Sequence, residues 1–172
     1  MNIVITGANG FIGRNLKVFL NESGFKNVNS ILSTDSNEVM LTKLKGVDFI
    51  FHLAGVNRPK TEVEFKQGNS DFTQQLIDSL SELEVTPTIV FTSSIQAKLD
   101  NSYGLSKASA ENILLKYKKD SGGDVYIYRL PNVFGKWCKP NYNSAVATFC
   151  FNTINDLPIT INDSNAQLTL VY

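Results

Sequence analysis

The segment Gly7-Ala8-Asn9-Gly10-Phe11-Ile12-Gly13 constrains this chain most, because it follows a short apolar run, residues 2–6, and opens a helical period, residues 11–21. A plain strand-to-helix turn needs one glycine, whereas three in register serve three purposes. One admits the tight turn, one lets backbone approach a pyrophosphate, and one lets the helix pack against the strand. The N–H groups at the start of the helix then point at the anion. The expectation is a nucleotide phosphate held by Gly7, Asn9, Gly10, Phe11, Ile12 and Gly13, with Arg14 next to it.

Beyond this turn, strand-like runs at residues 28–33, 48–53, 88–93 and 124–130 alternate with helical periods at 72–83 and 103–117. Such alternation predicts an α/β fold: a doubly wound, Rossmann-type parallel sheet with crossover helices on both faces. At 172 residues and 42% hydrophobic content, the chain suits one such domain over residues 1–172. Sixteen basic and sixteen acidic side chains cancel, and no basic block interrupts them, so a small-molecule partner is expected and a nucleic acid is not. Met1 runs straight into Ile3-Val4-Ile5, and no later stretch reaches membrane-spanning length, so a cytoplasmic protein without membrane contact is expected. Cys138 and Cys150 lack metal-ligand spacing; no metal site is expected, and Cys150, inside the apolar run 145–151, is expected to be a core thiol. Residues 167–172 form an apolar, strand-like run at the very end. The chain is therefore expected to be a fragment, truncated before a substrate lobe is complete.

Tyr103 and Lys107 lie four residues apart on one helix face, and the strand-like run before them delivers Ser94 to the carboxyl edge, where open α/β sheets keep their sites. Lowering a phenol from a pKa of about 10 to about 7 takes roughly 4 kcal/mol, and a cation about 4 Å away at an effective dielectric near 20 supplies about that much. The spacing therefore leads us to expect Lys107 to lower the pKa of Tyr103. His52, the only histidine, ends a buried run and is read as a core residue. Two readings of the cofactor stay open at this point. Asp35 lies near the place of the acid that holds a ribose 2′-OH, but Ser33 and Thr34 precede it, and Arg14 could answer a 2′-phosphate instead. Trp137 and Tyr142 flank a basic loop that suits a stacked base as well as it suits a simple loop anchor. Arg58 is balanced in the same way between substrate phosphate and surface charge. Asn143-Ser144 reads as a helix cap, where exposed N–H groups suit a sugar-nucleotide pyrophosphate.

Thr6-Gly7 with Gly10 and Gly13, His52-Leu53-Ala54-Gly55, Asn69, Ser94, Tyr103 with Lys107, and Arg129-Leu130-Pro131-Asn132-Val133-Phe134-Gly135 together resemble the extended short-chain dehydrogenase/reductase family, the NAD-dependent epimerase/dehydratases of sugar nucleotides. The resemblance implies that Tyr103 is the acid/base, that Lys107 lowers its pKa and holds the ribose, and that Ser94 bonds the substrate oxygen. It also implies that Ser33, Thr34, Leu53, Ala54, Gly55, Val56, Asn69, Leu130 and Val133 line the cofactor, and that Asn132 touches substrate. Within the family, residues 55–59, 94–96 and 132–144 are similar to reductases that act on a UDP-linked 4-keto-6-deoxy amino sugar. Those reductases serve the UDP-N-acetyl-L-fucosamine route of capsule or O-antigen biosynthesis. This likeness favours NADPH over NAD and implies a homodimer for the full-length protein, in which a cupin domain would follow. A sugar-nucleotide epimerase or 4,6-dehydratase that retains its NAD is the alternative enzyme, although Ser94-Ile95-Gln96 lacks the acid pair a dehydratase uses. A nucleotide-sensing module is the non-catalytic alternative.

Overall fold

Strand β1 (Ile3–Thr6) lies in the interior of the first sheet, where its four residues, all buried, are covered on both faces. It pairs in parallel with β2 (Val28–Ile31) on one side and with β3 (Phe49–His52) on the other; β4 (Thr88–Ser94) and β5 (Val125–Leu130) continue outward, in the order β2-β1-β3-β4-β5. The strand order reverses at β1 and β3, and the carboxyl ends flanking such a reversal form the binding crevice of open α/β sheets. Register brings Thr6 opposite Ile31 and His52, and His52 opposite Phe91, so these residues form one row along that edge. The doubly wound parallel sheet expected from the alternating pattern is therefore present.

The computed structural model describes all of residues 1–172, in two compact units, Met1–Arg129 and Leu130–Tyr172. In the first, alternate strand residues serve opposite faces. Ile3 and Ile5 meet Leu20 of α1 (Phe11–Glu22), whereas Val4, Ile50, Ile89 and Phe91 meet Leu76 and Leu80 of α4 (Phe72–Glu82) and Leu114 of α5 (Ser102–Ser121). Each of these aliphatic side chains contributes about 1.5–3 kcal/mol by leaving water. A helix missed by the sequence pattern, α2 (Asn37–Leu44), is capped by Ser36, whose hydroxyl accepts from Val39 N–H at 3.3 Å, and buries Met40 and Leu44. Upstream of α4 the helix begins earlier than periodicity suggests. A single turn, α3 (Val63–Phe65), passes into a π-helical turn, Lys66–Asp71, and then into α4. Such turns shift the phase of a helix and concentrate at functional sites.

The second unit holds helix α6 (Ala145–Ile154) and a two-stranded parallel pair, β6 (Asn132–Val133) with β7 (Leu170–Val171). The strand-like character of the last residues is thus partly realised, in a pairing that periodicity could not reveal. Cys150 corrects the expectation of a core thiol: it is exposed. The residue α6 buries is Asn152, whose amide donates to Pro158 O at 2.9 Å and accepts from Asn141 Nδ2 at 3.2 Å. Turning Asn152 inward turns Phe149, Cys150 and Phe151 outward. Cys138 is half-buried, and both thiols are free. No helix is long and apolar enough to cross a membrane.

Candidate active site at the carboxyl edge of the sheet

Close backbone packing builds the glycine turn. Gly7 has φ +68°, and a Cβ there would lie 2.6 Å from Ala54 N; a Cβ on Gly13 would lie 2.3 Å from Gly7 O. Gly10 closes the turn by donating to Gly7 O at 3.0 Å and stands as the N-cap of α1. No side chain caps this helix and no acid occupies its first turn, so the N–H groups of Phe11, Ile12 and Gly13 form an anion-binding end. Asn9 and Arg14 flank it. The cradle, whose glycines have no room for a Cβ, fits a dinucleotide pyrophosphate.

Hydrogen bonds fix the wall opposite that turn. The Ala54 N–H donates to Thr6 Oγ1 at 3.1 Å, and Thr6 Oγ1 lies 2.8 Å from His52 Nδ1. On the other side of the ring, His52 Nε2 lies 2.8 Å from Thr73 Oγ1, whose own proton goes to Asn69 O, also at 2.8 Å. That assigns the ring proton to Nε2 and makes Nδ1 the acceptor. Burial, with the Lys107 cation nearby, pushes the His52 pKa down to about 3, so the ring is neutral at ordinary pH. His52 is therefore packed in the core as expected, and is also the junction of β1, β3 and α4. Asn69 extends the network: its Oδ1 accepts from Val56 N–H at 3.0 Å, and its Nδ2 donates to Val56 O at 3.0 Å and to Ser106 Oγ at 2.9 Å. Leu53, Ala54, Gly55 and Val56 are thus held in one path after β3.

Helix α5 carries the polar chemistry. Asn101 caps it, accepting from Gly104 N–H at 2.7 Å, which places Tyr103 in its first turn. The Tyr103 ring lies 5.6 Å from that of Phe65, and the Ser94 hydroxyl, at the end of β4, acts on its phenol. Here the structure corrects an expectation. Burial raises the Tyr103 pKa above its ordinary value, with the Ser94 bond opposing, and Lys107 is not among the causes. The Lys107 ammonium instead donates to Thr92 O at 2.8 Å and lies 4.3 Å from the centre of the Phe91 ring. Desolvation lowers its own pKa to about 8, with Glu111 opposing.

The remaining candidates fall in two groups. Ser33 and Thr34 directly follow β2, and the neighbouring Asp35 carboxylate is engaged, accepting from Leu32 N–H at 2.8 Å and from Lys43 at 2.5 Å. Leu130, Asn132, Val133, Asn143 and Ser144 belong to the second unit. There Ser144 caps α6 as expected, accepting from Ala147 N–H at 3.3 Å, and Asn132 reaches toward Thr169 O at 3.5 Å. Sequence reasoning missed Glu111, 5% exposed, which accepts from Ser93 Oγ at 2.5 Å and from Arg129 at 2.6 to 3.2 Å. Its spacing, one turn beyond Lys107, was the available signal.

A parallel sheet that reverses beside a glycine cradle, with tyrosine and lysine on the adjoining helix, defines a Rossmann-type fold with a dinucleotide-sized cradle. The chain belongs to the NAD dependent epimerase/dehydratase family, which it matches over residues 3–171. It is 53% identical, over 172 residues, to the UDP-2-acetamido-2,6-beta-L-arabino-hexul-4-ose reductase of Pseudomonas aeruginosa, covering all of this chain and 46% of that one. Its structure resembles the crystal structure of the capsular polysaccharide assembling protein CapF from Staphylococcus aureus, with a TM-score of 0.88 and 47% identity over 100% of this chain and 47% of that chain. The fold is shared with the UDP-N-acetylglucosamine 4-epimerase of Bacillus cereus, with a TM-score of 0.84 and 23% identity over 100% and 67% of the two chains. The chain spans about half the length of the first two relatives.

Proposed function

We propose that this chain carries the active site of an NADPH-dependent reductase that converts the 4-keto carbon of a UDP-linked 4-keto-6-deoxy amino sugar to an alcohol. The reaction would serve capsule or O-antigen synthesis in the cytoplasm, by a homodimer. The observation that carries this reading is the buried Ser94 with the half-buried Tyr103 and the buried Lys107 cation. The three stand on the same sheet edge as the glycine cradle, in a chain 53% identical to a UDP-sugar reductase.

The reaction needs a hydride at the carbonyl carbon and a proton at its oxygen. Gly10 to Gly13 would hold the pyrophosphate of a reduced nicotinamide cofactor, which would supply the hydride. Ser94 holds the carbonyl oxygen, and Tyr103 transfers its phenolic proton to that oxygen as the C=O electron pair moves onto it. A general acid must begin protonated, so the raised Tyr103 pKa suits the reducing direction. The phenolate that remains regains its proton from solvent, and Lys107, one turn along the helix, is left to hold the cofactor ribose. Loop residues Leu53 to Val56, fixed by Asn69 and His52, would line the cofactor, and Ser33, Thr34, Leu130 and Val133 are assigned to it as well. Asn132 is assigned to the sugar, and the α6 start at Asn143 and Ser144 to its pyrophosphate.

For the cofactor, Arg14 favours NADPH, since it follows the cradle as a cation suited to a 2′-phosphate. Lys43, bonded to Asp35 Oδ2 together with Leu32 N–H, offsets the charge of the acid that would otherwise hold a ribose 2′-hydroxyl. Fluorescence titration with NADPH and NADH tests this: tighter NADPH binding is expected, and equal affinity would remove the assignment.

A further inference from the structure

Three successive residues of β4 each face one residue of α5. Ser94 acts on the Tyr103 hydroxyl, Thr92 accepts from Lys107 through its carbonyl, and Ser93 donates to Glu111 at 2.5 Å. The three helix residues are spaced by four, which stacks them on one face. Lys107 is 4% exposed and Glu111 5% exposed. A buried ammonium is costly unless an opposite charge accompanies it, and Lys107 makes no direct ion pair: its donated bond goes to a neutral carbonyl. The acid one turn away is the group that can supply the balance. We propose that Glu111, gripped by Ser93 and Arg129, is a positioning residue that keeps the Lys107 ammonium charged and aimed along the sheet edge.

The surroundings of Lys107 support this assignment from every side. From its own helix Glu111 acts on it, and Tyr103, one turn earlier on the same face, carries a neutral phenol. From β3 it meets neutral His52, from β4 the face of Phe91 and the Thr92 carbonyl, and from β5 Arg129, which acts on it through Glu111. The charge of Glu111 raises the lysine against desolvation. Arg129 and Ser93 in turn hold Glu111 below the usual carboxylate range, so it stays an anion despite burial. Arg129 therefore both secures the anion and dilutes its field.

This inference deepens the proposed function, because Lys107 matters only if the tyrosine–lysine site is catalytic, so its test is read without substrate. The probe is the proton itself. The chain is labelled with 13C-lysine, the Lys107 ε-methylene signal is identified by its loss in Lys107→Arg, and its pH titration is followed by NMR. In the wild type Lys107 should titrate near pH 8. In Glu111→Gln the midpoint should fall; in Arg129→Gln, where the Glu111 field is less diluted, it should rise; Glu111→Asp should restore it part of the way. Arg129 is 40% exposed in its side chain, so its variant reports even if Glu111→Gln does not fold. A Lys107 midpoint unmoved in the folded variants, or one that rises in Glu111→Gln, overturns the proposal. Absent turnover with a Lys107 midpoint that shifts as described would count against the reductase reading and leave the role of Glu111 standing.

Discussion

The glycine turn and the α5–β4 face handle charge in opposite ways. The turn is built from backbone: Gly7 and Gly13 fit against Ala54 and Gly7 O with no room for a side chain, and the α1 N-terminus presents uncapped N–H groups. The α5 face is built from side chains and buries a cation and an anion beside a half-buried phenol within three turns. The first half can hold charge brought by a ligand because backbone dipoles need no counter-ion. The second must carry its own compensation, which is why Lys107, Glu111 and Arg129 occur together. His52 and Asn69 join the halves, and everything along that seam is neutral.

The largest expected effect lies at the seam. The unfolded chain takes up a proton on His52 near pH 6.5, whereas the folded chain resists until about 3. Folded stability therefore falls as pH drops through that window, by on the order of 5 kcal/mol at its acid end. Urea unfolding at stepped pH measures this slope. His52→Gln, whose amide can serve both threonines without titrating, should flatten it, and an unchanged slope would remove His52 from the account.

Next comes the side-chain half alone. Tyr103→Phe should cut turnover roughly 10²–10⁴-fold, the range for a lost general acid, with NADPH affinity nearly unchanged. Parallel loss of both would mean that Tyr103 holds cofactor rather than delivering a proton.

The backbone half should respond in the reverse sense. Gly13→Ala forces its new methyl toward Gly7 O, 2.3 Å away, so the turn must shift, at a cost of about 1–3 kcal/mol. Thermal unfolding and cofactor titration should both register it. Normal affinity in a folded Gly13→Ala protein would show that the turn is not the phosphate site.

The smallest effect belongs to Arg14. Its removal to alanine should weaken NADPH about two- to fivefold, as for a single charge of roughly 0.3–1 kcal/mol near a helix end, and leave NADH as it was. Equal weakening of both by titration would place Arg14 on the shared pyrophosphate.

The backbone half was far more legible in the sequence than the side-chain half. A glycine turn is local: its spacing and the strand before it lie within a dozen residues, and the five strands of the first sheet follow from short apolar runs. Tyr103, Lys107 and Ser94 were also visible, as spacing and as the end of a strand. What sequence could not give was partnership. Glu111 is legible as a helix neighbour of Lys107, but its bonds to Ser93 and Arg129 cross from α5 to two strands, and only the sheet order makes those strands adjacent. The inferred effect of Lys107 on Tyr103 missed for a related reason: four-residue spacing fixes proximity, whereas burial decides which way the phenol shifts. In the second unit, an apolar run suggested that α6 would bury Cys150, but Asn152 and its two hydrogen bonds set the inward face.

The most direct test of the account follows hydrogen. NADPH carrying deuterium at both C4 positions is mixed with the protein and a UDP-linked 4-keto-6-deoxy amino sugar, and the sugar is read by mass spectrometry while cofactor oxidation is followed by absorbance. The account predicts one deuterium on the sugar for each cofactor oxidised, and loss of both signals together in Tyr103→Phe. An epimerised or dehydrated sugar with no net cofactor oxidation would contradict it.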